Sequence, residues 1–244
     1  MHTQISTLRA AMAKPALASA PPLVSLGPAE LDQVLGGGLR AGACHEVYAA
    51  KGHETAATGF AIGLATRLSE GKQLLWIGQD FAYSEYGHLC PSGLMELGLD
   101  PSRLLALSVA NAQEALRAAG DALTCASLGA VVVEMSGNPK LLDLTASRRL
   151  VLASAQTSVP TLLLRFGATP EASAAETRWL IKAAVSATAP WGQPIFDASL
   201  IRNKNGRMGQ WVLSWSCDHG CFEIQTADSG AVVPTPADRS AEAA

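Results

Sequence analysis

The sequence predicts an α/β fold: a predominantly parallel, twisted sheet flanked by helices, with an N-terminal helix ahead of it and added C-terminal β-hairpin strands behind it. Three observations carry this expectation. From Leu31 onward short apolar runs alternate with intervals dominated by Ala, Leu and Glu, the pattern of a parallel sheet covered by helices. After Thr177 strand-like segments follow one another directly, with Asn205-Gly206 as a tight-turn signal between the last two. Finally, 48% of the 244 residues are hydrophobic, enough for one sizeable core.

Taken in order, Ile5, Leu8 and Met12 recur at helical spacing before Pro15, Pro21 and Pro22 break the pattern. Residues 1–27 therefore read as a short helix on a linker. A helix this short must pack on its own domain or on a neighbouring subunit to persist, and both remain open. Strands are expected over 43–49, 73–78, 104–109, 129–134 and 161–166, with helices near 55–70, 84–97, 111–127 and 141–157. Later strands are expected over 178–185, 198–202 and 210–216. The main domain spans 28–225, and 226–244, rich in Pro, Ala, Ser and acid with little to bury, reads as a disordered tail.

Charge and cysteine content limit the function classes. Eighteen Lys and Arg against 21 Asp and Glu give a net charge of -3, which excludes a globally basic nucleic-acid coat and leaves only a local patch for DNA. Cys44, Cys90, Cys125, Cys217 and Cys221 are odd in number and scattered, unlike a secreted disulfide framework. Neither a signal peptide nor a membrane span is evident, so the expected location is the cytoplasm.

The most informative stretch is LDQVLGGGLRAGACHEVYAAKGHETAATGF, residues 31–60. It resembles the lead-in to the phosphate-binding loop of RecA, with Leu31, Asp32, Gly37, Gly38, Leu39, Gly42, Glu46, Val47 and Tyr48 at the matching positions. Gly71-Lys72 before QLLWIGQD, LGLDPSRLL at 97–105 and GAVVVEM at 129–135 continue the likeness in order, over roughly residues 28–170. The departure is equally informative. A phosphate-binding loop needs glycine amides, a Lys for the β- and γ-oxygens and a Ser or Thr for magnesium. Here AAKGHETAA keeps Gly52 but places Glu54, Thr55 and Ala56 where the last Gly, the Lys and the Ser/Thr belong. A carboxylate in that place repels a triphosphate. Lys51 comes several residues too early, and Asp80 and Glu134, at the positions of the family's water-activating and magnesium-linked carboxylates, are expected to be structural. No cofactor is expected.

As a whole the chain is most similar to the ImuA family. The likeness rests on the N-terminal helix and linker, the lost loop, and the region TRWLIKAAVSATAPWG through LIRNKNGRMGQWVLSW. It implies a non-catalytic accessory of SOS-induced translesion synthesis and mutagenesis. The partners it implies are a Y-family polymerase-like mutasome protein, an error-prone replicative-type polymerase and RecA, with Ile5, Leu8 and Met12 as a docking segment. An unorthodox ATPase in which Lys51 and Asp80 rebuild a site, and a SulA-like cell-division inhibitor, are the alternatives.

Arg202, Lys204 and Arg207 cluster at the expected hairpin turn ahead of Trp211 and Trp215. This mixture could track a phosphate backbone and stack bases of single-stranded DNA, but the ordinary reading is a solvated turn over a half-buried tryptophan pair, because alternating tryptophans in a strand usually face the core. Cys217, His219 and Cys221 fit no common zinc spacing. His45 and His53 are expected at the surface or at strand ends, Ser136 lacks the glycines of a nucleophile elbow, and Trp179 and Trp191 are expected to pack.

Overall fold

The computed structural model describes residues 21–185 and 192–225. The expected N-terminal helix with Ile5, Leu8 and Met12, Trp191 and the expected tail lie outside the described residues. The fold is α/β, with a large, mostly parallel mixed sheet flanked by helices.

Strands β1 (Leu23–Val24) and β2 (Leu39–Arg40) pair antiparallel around helix α1 (Ala29–Leu35). Leu31 is fully buried, while the Asp32 carboxylate accepts hydrogen bonds from the Ser25 hydroxyl at 2.5 Å and the Leu26 amide at 2.8 Å. This Leu-Asp pair thus fastens α1 and the turn before it. Residues 21–27, expected to belong to a linker, are part of the folded body, with Leu26 completely buried.

The main sheet runs through β3 (Cys44–Ala49), β4 (Gln73–Gln79), β5 (Leu104–Val109), β6 (Leu128–Ser136), β7 (Thr161–Phe166), β8 (Thr177–Ala183), β9 (Ile195–Asn203), β10 (Gly209–Ser216) and β11 (Cys221–Ile224). Its spatial order is β11-β10-β9-β8-β3-β7-β6-β4-β5. From β8 to β5 every neighbouring pair is parallel, and from β8 to β11 every pair is antiparallel. Strands β3 and β7 are buried at every position, as befits parallel strands covered on both faces.

Helix α2 (Glu54–Leu68) lies on one face, where Phe60 packs against Trp179, Phe196 and Phe222. Helices α5 (Ala112–Ala122) and α6 (Leu144–Thr157) cover the other, around Val131, Val133 and Leu163. The helix expected over 84–97 is instead two short ones, α3 (Asp80–Tyr86) and α4 (Pro91–Glu96), because Gly87 ends the first and Pro91 opens the second. They stand on the α2 side, where Leu94 joins the core. The hairpin turn at Asn205-Gly206 forms between β9 and β10 as expected, whereas β1, β2 and β11 are additional elements.

Two of the buried polar arrangements centre on β3. Glu46 on β3 meets Arg178 on β8 at 2.6 Å, and the Tyr48 ring lies between the Arg165 and Arg178 guanidiniums at 5.4 and 5.5 Å. His45, expected near the surface or a strand end, is fully buried in β3. Its Nδ1 meets the Thr177 hydroxyl at 2.8 Å and its Nε2 the Arg40 carbonyl at 3.1 Å, so Nε2–H donates and Nδ1 accepts. Burial holds this imidazole below its ordinary pKa.

Candidate functional site

Parallel α/β sheets place their sites beyond the carboxyl ends of the strands. Here the loop after β3 leads into α2 with Gly52 exposed, Glu54 as the first helical residue, Thr55 exposed and Ala56 half-buried against the core. The Gly52 amide, which in a phosphate loop would face an anion, donates to the Glu54 carboxylate at 3.3 Å. The helix therefore carries its own negative group at its positive end. His53 fixes the loop from the other side, its Nδ1 accepting a hydrogen bond from the Ala183 amide on β8 at 3.0 Å.

A cavity of about 220 Å³ opens between the first turns of α2, the α3–α4 segment and the ends of β6 and β7. Glu134, near the end of β6, faces it and is 5% exposed. The buried Trp76 indole on β4 donates to Glu134 Oε2 at 3.0 Å. Burial raises the Glu134 carboxyl above the ordinary glutamate range, only partly offset by that indole bond. The Tyr83 phenol, pushed up to about 12 by burial and then by the charges of Glu134 and Asp80, stacks on His88 with ring centres 4.5 Å apart. Tyr86 stands edge-on to Phe166 at 4.8 Å. Gly78 lets this wall close in, because a Cβ there would lie 2.5 Å from the Tyr83 Cζ and push the phenol ring aside.

Glu54, Thr55 and Glu134 thus gather at one cavity, with Gly52 beside it through the Glu54 carboxylate. Asp80 does not join them: it is exposed at the start of α3, and its Oδ1 accepts a hydrogen bond from the Ser108 hydroxyl on the edge strand β5. Lys51 is exposed in the turn before Gly52. The aromatic wall of Tyr83, Tyr86 and His88 and the Trp76 bond were missed in the sequence. Trp76 offered a signal, since an indole N–H in a central strand must find an acceptor once buried.

The basic cluster is arranged differently from the DNA reading. Trp211 is 8% exposed and Trp215 1%, both in the core, so the expectation that Trp211 stacks on bases is corrected: its ring packs toward Trp179. Arg202 donates to the Ser173 carbonyl at 2.6 Å. Asn203, Asn205 and Arg207 donate to the Val34, Leu35 and Gln33 carbonyls at the end of α1, which supplies partners that a helix terminus otherwise lacks. Lys204 remains exposed.

Residues 217–220 form the turn between β10 and β11. There His219 Nδ1 meets the Ser216 hydroxyl at 3.0 Å and Glu223 at 3.3 Å, and the Cys217 thiol donates to the Glu96 carbonyl. Among the described residues no three His, Cys, Asp or Glu side chains group as metal ligands, and no helix is long and apolar enough to cross a membrane. A second hollow, about 530 Å³, lies between α5 and α6 and is walled by Leu116, Leu141 and Leu150 with Arg117 and Arg149 at its side. It lacks the buried carboxylate that gives the first cavity its chemistry.

Fold and site together define an α/β protein with an acidic, aromatic-walled cavity at the carboxyl edge of its parallel strands. Compared with known proteins, the chain matches no family model and no curated protein.

Proposed function

We propose that the chain is a RecA-like protein of the ImuA kind whose nucleotide site has been lost. Its role is that of a non-catalytic accessory in SOS-induced translesion synthesis and mutagenesis, acting through contacts with mutasome polymerases and with RecA. The observation that carries the loss of the site is the Glu54 carboxylate on the Gly52 amide. That bond occupies the loop donor which a phosphate would use, and sets a negative charge where a triphosphate would bring more. The RecA-like part is supported by β3 in mid-sheet feeding this loop and α2, and by antiparallel strands added after β8.

The test is calorimetry of the full chain with magnesium and ATP, beside a pull-down from DNA-damaged cells with partners identified by mass. The expected outcome is no heat of ATP binding and recovery of translesion polymerase components or RecA. A micromolar ATP site abolished by Lys51→Ala would overturn the loss of the nucleotide site, and recovery of division proteins alone would overturn the mutagenesis role.

A further inference from the structure

We propose that the cavity beside α2 receives an alkyl chain ending in an ammonium or guanidinium group. This rests on the reading that no nucleotide occupies the site, and adds what the site takes instead.

The first argument is charge. Glu54 and Glu134 both stand in the cavity wall, and among the described residues none of the wall is lysine or arginine. The second concerns Glu134 by itself. Glu134 is 5% exposed and its Oε2 is held by the Trp76 indole, while among the described residues Oε1 takes no protein donor and is not sealed from solvent. An oxygen that no protein donor reaches and that stays open to solvent is completed by water or by the donor of an incoming ligand. Its position in the cavity wall directs that unused capacity to an incoming ligand.

The remaining walls suit the rest of such a ligand. Tyr83, Tyr86 and Phe166 offer aromatic surface, which attracts ammonium and guanidinium groups at short range. Ile62, Leu94 and Leu97 offer aliphatic surface for the methylene stem. A volume of about 220 Å³ fits one side chain and is smaller than the roughly 300–1,000 Å³ of ordinary small-molecule pockets. The same chemistry is supplied by a free alkylamine or by a Lys or Arg side chain of a partner protein.

Calorimetry of the full chain tests this with four probes: butylammonium, a capped tripeptide with lysine at its centre, the same tripeptide with norleucine, and magnesium with ATP. The cationic probes are expected to bind and the norleucine peptide not to. Tighter binding of the lysine peptide than of butylammonium assigns the site to a protein side chain, and the reverse order to a free amine. Glu134→Gln keeps the acceptor for Trp76 and is expected to weaken cation binding by about tenfold or more. Tyr86→Ala, at a position 46% exposed, is expected to weaken it severalfold. The inference is overturned if norleucine binds as well as lysine, if no cationic probe binds at millimolar concentration, or if a folded Glu134→Gln protein keeps full affinity. Should that variant not fold, unchanged affinity in Tyr86→Ala overturns it. Silence of the amines together with silence of ATP removes this inference alone, whereas ATP binding removes the reading beneath it as well.

Discussion

Arg178 illustrates how much one side chain can hold. Its guanidinium pairs with Glu46 at 2.6 Å, donates to the Glu171 carbonyl at 2.6 Å and the Ser173 hydroxyl at 3.0 Å, and flanks the Tyr48 ring. Side-chain exposures of 9% and 1% for Arg178 and Glu46 place this pair in the interior, where removing one partner strands the other charge. Arg178→Ala is therefore expected to cost about 3–5 kcal/mol. Adding Glu46→Gln to it should return part of that loss, measured by urea unfolding of both single variants and the double. Additive losses would show that the two groups act separately. The sequence offered Glu46 as part of a family motif, but its partner lies 132 positions away, and no local pattern announces such a pair. Glu54 was singled out in the sequence by its position at the expected helix start; its bond to the Gly52 amide required the folded loop.

At the level of elements, the parallel strands were the easiest to read, since their apolar runs are self-contained. Strands over 104–109 and 161–166 fall where the sequence placed them. Strand β11 was not legible because Cys221–Ile224 has only four residues, and its pairing with β10 and its burial of Phe222 come from tertiary contact. The turn signal Asp218-His219-Gly220 was its one local cue. Yet β11 matters: Phe222 is 1% exposed and touches the rings of Phe60, Phe196 and Trp215. Phe222→Ala should cost about 3–5 kcal/mol, read as a lowered melting temperature and urea midpoint. A loss under about 1 kcal/mol would show that β11 is an ornament on the sheet. Helix α5 was readable by its start: Asn111 accepts the Glu114 amide at 3.0 Å and Glu114 accepts the Ala110 amide at 3.1 Å, close to a capping box.

For the molecule as a whole, two buried groups give stability a dependence on pH with opposite signs. Burial lowers the His45 pKa from 6.5, so below that value the unfolded chain binds a proton that the folded one refuses, and stability falls as pH drops. Burial raises the Glu134 pKa from 4.5, so the folded chain keeps a proton that the unfolded one releases, and stability falls as pH rises from there through the raised value. Glu134→Gln removes only the second effect. Relative to the wild type it is expected to gain stability as pH rises above 4.5, with urea midpoints over a series of pH values as the measure. Parallel midpoints would mean that Glu134 is not strained by its burial. Composition foretold a sizeable core, which the sheet divides between its two faces, but these two inward-facing groups emerge only once the strands are assembled.

The bond between the Trp76 indole and Glu134 makes the protein its own optical probe. An indole whose N–H touches a carboxylate alters its emission when that carboxylate gains or loses a proton or a neighbouring cation. The difference between wild-type and Trp76→Phe fluorescence should therefore follow events at this glutamate without any attached dye.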